Sequence, residues 1–294
     1  MKLMKKMIAA LTLTGLLAAS LGLSAFADDA ANVATLTEQQ VTKHLVMAES
    51  LDVPDAEFSF AVTAVTADAP AVTIGSISYS SADDKGNLST EGVYTVDKNA
   101  EITFGTFPHA GTYEYTVTET TGSAEGITYD STSYTMTVYV ANGSDGALAV
   151  QRIIVEADNG KQYELSFTNT YCKNGSLTIT KNTEGDLADK TKDFAFTITF
   201  IKSGTESDSV TSYTGKIGEE PIECTIGQET SFYLHDGESL VFDDLPVGTR
   251  YVVTEVAAAD GYTPSVSVIE NGVQTVTNNT TAEANALSTA NAGL

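Results

Sequence analysis

The chain has 294 residues, enough for two domains, and carries 39 acidic against 15 basic side chains, a formal charge of −24. That balance excludes nucleic acid and anionic membrane surfaces as partners. It has no tryptophan and two cysteines, too few for a disulfide framework at this length.

Residues 1–27 have the form of a secretory signal peptide: a basic start at Lys2, Lys5 and Lys6, an apolar run from Met7 to about Leu23, and a small-x-small site at Ala25-Phe26-Ala27. Cleavage would start the exported chain near Asp28 and take the charge from −24 to −27. No later segment is apolar enough, for long enough, to span a bilayer. Residues 28–40 read as a leader or short helix.

From there apolar and polar residues alternate, and the class is all-β. Val41, Lys43 and Leu45 share one strand face, because side chains two apart point the same way. Phe58-Ser-Phe60-Ala-Val62 reads as one alternating strand, and residues 79–98 as a long hairpin or surface loop. Ile102, Phe104 and Phe107-Pro108 lead into the strand Gly111 to Glu119, GTYEYTVTE. Strands follow at Tyr134 to Val140 and Ala147 to Val155, joined through Asn142-Gly143. In YELSFTNTY, the residues Tyr163, Leu165, Phe167, Asn169 and Tyr171 share a face, which makes Asn169 the odd polar residue in an apolar row.

At Asn174-Gly175 the pattern restarts. Leu177, Ile179 and Lys181 repeat the first strand, Phe194 to Phe200 the second, and GTRYVVTE at Gly248 to Glu255 the strand ending in Glu119. This is the duplication of a whole domain: 28–172 and 173–294, two tandem Ig-like β-sandwiches. Lys43 and Glu119 are 76 residues apart, Lys181 and Glu255 74. Asn169 lies 50 residues after Glu119, and its counterpart would fall beyond Leu294. The second domain is therefore expected to lack its last strand, and the closing run NNTTAEANALSTANAGL to be loop.

In the complete repeat Lys43, Glu119 and Asn169 all sit on apolar faces. Burial lowers a lysine pKa and raises that of a glutamate. A neutral amine is a nucleophile, and a protonated carboxyl is a hydrogen-bond donor and proton shuttle. Lys43 could then attack the side-chain carbonyl carbon of Asn169, with Glu119 polarising that carbonyl. Ammonia would leave and an isopeptide bond would join the first and last strands. A buried Lys–Glu ion pair with an unrelated asparagine fits the spacing too.

These motifs, VTK with F-x-F, then F-P-x-x-G-T-Y-x-Y-x-V-T-E, then F-T-N-T-Y, resemble the isopeptide-linked domain of streptococcal, FctA-type major pilins over residues 41–171. The resemblance implies an internal bond between Lys43 and Asn169 assisted by Glu119, and the same roles for Lys181 and Glu255, whose partner asparagine is absent. It implies a structural subunit and not an enzyme. That subunit would be secreted to the cell wall or surface of a Gram-positive bacterium and joined to other pilin subunits by a sortase. Lys161 and, behind it, Lys173 are the candidate linkage lysines. No LPxTG-like sorting signal is seen, so a truncated reading frame is expected. The alternative is an adhesin or stalk that binds host protein or glycan with the same stiff domains.

No cofactor is implied. His44, His109 and His235 are too scattered for a metal site, and Asp83-Asp84-Lys85-Gly86 lacks EF-hand spacing and reads as a solvated loop. Whether Cys172 and Cys224 pair stays open.

Overall fold

The structure is a computed structural model, and it describes residues 39–256, 261–263, 265–270, 273–277 and 286–288. The leader, the cleavage site, Asn278 and Asn279 lie outside them.

Twelve strands build the first domain: β1 (Gln40–Ala48), β2 (Ala56–Phe58), β3 (Phe60–Ala64), β4 (Val72–Ile74), β5 (Ile77–Tyr79), β6 (Val93–Phe104), β7 (Gly111–Glu119), β8 (Ile127–Thr128), β9 (Ser133–Asn142), β10 (Leu148–Ala157), β11 (Gly160–Gln162) and β12 (Leu165–Tyr171). They form two five-stranded sheets, in the orders β4-β6-β1-β12-β8 and β11-β10-β9-β7-β3, with β2 and β5 as a separate ribbon. One core cluster draws on both sheets, through Val41, Leu165 and Phe167 from the first and Tyr115, Val117 and Met136 from the second. A second cluster, with Leu45, Met47, Phe58 and Tyr79, lies under the ribbon. Strand β1 runs through both, so Lys43 falls between Val41 of one cluster and Leu45 of the other.

The chain's first and last strands in this domain are neighbours. β1 pairs in parallel with β12, Lys43 beside Phe167 and Leu45 beside Asn169, and antiparallel with β6. Every second residue of β1, from Val41 to Met47, is buried, as alternation requires.

Three expectations about strand bounds in the first domain need correction. The run Phe58 to Val62 is not one strand. It divides at Ser59, whose carbonyl accepts the N–H of Thr120, and Phe58 pairs into the ribbon while Phe60 pairs with Glu119 on β7. The two rings have separate destinations: Phe58 meets Tyr79 edge-on at 5.5 Å, and Phe60 lies 5.3 Å from Phe167. Residues 93–98 are not loop but the start of the 12-residue β6. Their polar side chains surround buried Val93 and Val96, and β1 takes their backbone bonds. Tyr163 is 70% exposed because β12 begins only at Leu165.

The second domain repeats the design with β13 (Asn174–Thr180), β14 (Phe194–Ile201), β15 (Ser212–Ile217), β16 (Glu220–Thr225), β17 (Thr230–Leu234), β18 (Ser239–Pro246), β19 (Arg250–Glu255), β20 (Val266–Glu270), β21 (Val273–Thr277) and β22 (Ala286–Ser288). Its sheets run β13-β18-β15-β16 and β17-β14-β19-β22, around a core that includes Phe194, Phe196, Ile198 and Phe200. Among the described residues β13 is an edge strand, without the parallel neighbour that β12 gives β1. Ala286–Ser288, expected as loop, pairs with β19 in the other sheet.

Two residues, Cys172 and Lys173, connect the domains. The Val247 N–H donates to the Lys173 carbonyl at 2.7 Å, the Asn174 amide to Asp244 at 2.6 Å, and Arg250 lies 3.4 Å from Glu49. Both cysteines are free, Cys172 at this junction and Cys224 in the second core, and burial pushes both thiols up. Gly248 has φ +95°, and a Cβ there would stand 2.9 Å from Ala48 of the first domain and 2.7 Å from the Ser203 hydroxyl. Left-handed backbone and lack of space both demand glycine. Gly248→Ala is expected to cost about 2 kcal/mol, as overpacking in a closed contact does, read as a lower urea midpoint at unchanged slope.

Candidate functional site

Three strands carry the candidate residues to one point. Lys43 comes from β1, Asn169 from β12 and Glu119 from the end of β7 in the opposite sheet. The parallel register puts Lys43 and Asn169 two positions apart on adjacent strands, with side chains on the same buried face. Lys43 and Asn169 are fully buried and Glu119 nearly so. Glu119 bridges the other two: the Lys43 amine stands 3.1 Å from its Oε2, and the Asn169 amide nitrogen donates to its Oε1 at 2.6 Å. The amine also reaches the Phe167 carbonyl at 3.2 Å and lies 4.9 Å from the centre of the Phe58 ring.

Removal from water dominates the electrostatics. Burial pushes the Lys43 amine down from the ordinary lysine range, against the raising pull of Glu119. Burial also pushes the Glu119 carboxyl up, against the lowering effects of its bonds to Asn169 and Lys43. Distance alone would describe a salt bridge. Both shifts favour the neutral forms, and an amine with a carboxylic acid holds the same number of protons as the ion pair, so moving one proton between them converts one into the other. In this dry surrounding burial works against the ion pair, which would lose two hydration shells.

The geometry corrects one detail of the chemistry. Glu119 faces the amide nitrogen of Asn169, and the carbonyl Oδ1 accepts instead from the backbone N–H of Asp130 at 2.8 Å. Glu119 thus contacts the amine and the amide nitrogen, while the carbonyl oxygen is met by the loop. Asp130 is polar, lies in a loop and occurs once in the repeat, so spacing and alternation had no means of finding it.

The second domain brings Lys181 and Glu255 together in the same way, at 2.9 Å, with Lys181 4.1 Å from the Phe194 ring. These side chains keep 13% and 12% of their exposure, against none for Lys43 and Glu119. Among the described residues no asparagine side chain bonds to Glu255. Of the two candidate linkage lysines, Lys161 is exposed on β11, the edge strand of its sheet. Lys173 is exposed at the domain junction, beside a groove that Asp52, Asp55 and Glu125 also line. The histidines go to separate carboxylates, His44 to Asp97, His109 to Asp68 and His235 to Glu238. The loop read as solvated is tied down, since Lys98 holds both oxygens of Asp83 at 2.7 Å. No helix among the described residues is long and apolar enough to cross a membrane.

The fit of Phe58 over the amine gives a test. Phe58→Ala, made in an Asn169→Ala background so that Lys43 stays a free amine, should cost about 3–5 kcal/mol, as for other buried phenylalanines. Water entering the gap should raise the Lys43 pKa toward its ordinary value, measured by NMR titration of the labelled amine.

Residues 39–172 match the FctA family, described as a Spy0128-like isopeptide containing domain. Residues 175–291 match a family described as a domain of unknown function, DUF7601. A pilin from Streptococcus pyogenes serotype M1 is 34% identical over 209 residues, 67% of this chain and 59% of that protein. The pilus tip adhesin Cpa of Streptococcus pyogenes is 43% identical over 84 residues, 29% of this chain and 12% of the adhesin. This chain thus spans 59% and 12% of the lengths of these two relatives. Among solved structures, the major pilin protein T3.2 of Streptococcus pyogenes aligns over 87% of this chain and 94% of its own, with 25% identity and a TM-score of 0.42.

Proposed function

We propose, from the match of residues 39–172 to the Spy0128-like isopeptide-containing family, that the chain is a structural subunit of a bacterial surface pilus, stiffened by an internal bond between Lys43 and Asn169. The observation that carries this reading is the one carboxyl of Glu119 shared, in a dry core, between an amine and an amide. The neutral amine of Lys43 attacks Cγ of Asn169. Glu119 takes a proton from the attacking nitrogen and delivers one to the departing amide nitrogen. The products are a secondary amide and one ammonia, and the fold supplies the proximity that drives the step. The reaction happens once per molecule, so the chain is building material and does not turn over substrate.

A bond here crosslinks parallel neighbours at the two ends of the domain's sequence. If the chain-entropy relation for disulfides carries over to an amide, closing a loop of roughly 126 residues stabilises the domain by about 5 kcal/mol. Pulling on the ends then loads a covalent link between β1 and β12 before it loads the sheet hydrogen bonds. Export to the Gram-positive cell surface and assembly by a sortase complete the reading, as the similarity to pilins supports.

Intact mass decides the central claim. The wild-type chain should weigh one ammonia less than its sequence requires, while Lys43→Ala, Asn169→Ala and Glu119→Ala should keep the full mass. A wild type of full mass overturns the bond. Efficient bonding in Glu119→Ala would overturn the shuttle alone.

Linkage between subunits follows a separate test. Lys161 is the proposed acceptor because it stands free on an edge strand, whereas Lys173 lies 5.9 Å from the Tyr171 ring at the junction. With a pilin sortase and an acyl donor peptide, Lys161→Ala should lose peptide attachment and Lys173→Ala should keep it, read by tryptic mapping.

A further inference from the structure

The loop between β8 and β9 holds an arrangement that the proton shuttle does not use. Asp130 donates its backbone N–H to Oδ1 of Asn169 at 2.8 Å. Its own carboxylate is held in turn by two backbone donors. Oδ1 accepts from Thr132, two residues on, at 2.8 Å, and Oδ2 accepts from Thr168 on β12 at 2.7 Å. The loop is thus clamped to the strand that carries Asn169, at the residue immediately before it. Nearby, the Tyr134 hydroxyl donates to the Ser166 carbonyl of the same strand at 2.5 Å, and its ring meets Phe167 edge-on.

Resting on the bond-forming reading above, we propose that the Asp130 N–H is the oxyanion donor of the reaction and that the Asp130 side chain is a positioning group that aims it. When Nζ of Lys43 bonds to Cγ of Asn169, the carbonyl π pair moves onto Oδ1 and a negative charge develops there. Glu119 occupies the nitrogen side of the amide and cannot meet that charge. The Asp130 N–H can, because it is already within hydrogen-bond distance of Oδ1 before attack and needs no reorganisation. When the tetrahedral centre collapses, the pair returns to the carbonyl and the Cγ–Nδ2 bond breaks. Nδ2 leaves as ammonia with the proton that Glu119 delivers. The same N–H bond also settles which end of the asparagine amide faces Glu119, since only the oxygen can accept from Asp130. A reversed amide would present its carbonyl to Glu119 and its leaving group to the loop, with no proton to collect.

The clock starts by diluting unlinked chain, purified in denaturant, into buffer. Folding is followed by tyrosine fluorescence and bonding by loss of one ammonia in the intact mass. Asp130→Ala frees the loop from β12, and Asp130→Pro removes the N–H itself. Each should fold and then bond on the order of 100-fold more slowly than wild type, the usual effect of losing one oxyanion donor. Asp130→Asn keeps one accepting oxygen and drops the charge, and its rate should lie closer to wild type than to Asp130→Ala. Bonding at the wild-type rate in folded Asp130→Ala and Asp130→Pro overturns the proposal and leaves the Lys43–Asn169 bond standing. Asp130→Asn as slow as Asp130→Ala assigns the effect to the charge and also overturns it. No mass loss in wild type removes the bond-forming reading and this inference with it.

Discussion

A lysine amine taken out of water must give up its proton or hold on to an anion, and Glu119 offers Lys43 both outcomes with one carboxyl group. Everything around the pair keeps water away. Val41 and Leu45 flank the lysine on its own strand, each belonging to a different core cluster, and Phe58 closes over the amine from the ribbon. Hydrophobic burial of this size is non-directional, yet here it bears on protonation, since it pushes the amine down and the carboxyl up. A bond from Lys43 to Asn169 would replace the amine by a neutral amide and leave the Glu119 carboxyl beside it.

The parallel pairing of β1 with β12 gives the chemistry its reach. Parallel neighbours cannot be joined by a tight turn, so these strands come from opposite ends of the domain, with the whole sandwich between them in sequence. A bond at this point would close most of the domain's sequence into one loop. It would also join the first strand of the domain to its last.

The second domain shows what the arrangement looks like with fewer restraints. Lys181 and Glu255 make the same contact beneath a phenylalanine ring, but they retain some exposure, and β13 is an edge strand among the described residues. Among the described residues the domains thus differ both in enclosure and in the asparagine that Glu119 has and Glu255 lacks. The joint between them is tight and specific, with Gly248 pressed against Ala48 and Arg250 beside Glu49, so the first domain ends against a shaped surface and not on a free linker.

Alternation along strands was enough to read the class, the duplication, and the placement of Lys43, Glu119 and Asn169 on buried faces, because a period of two is a local property that hydrophobic residues write directly into the chain. It misread the stretches where local pattern and partner choice separate. Phe58 and Phe60 alternate as one strand would, yet each finds a different sheet. Val93 to Lys98 looks like loop because its polar residues outnumber the two buried valines. Ala286–Ser288 carries no strand signal at all and is ordered by pairing with β19. Only the tertiary structure decided which end of the Asn169 amide meets Glu119. That choice rests on one backbone N–H from a loop 39 residues earlier, and a backbone N–H is present at every position but proline, so no sequence pattern can single it out.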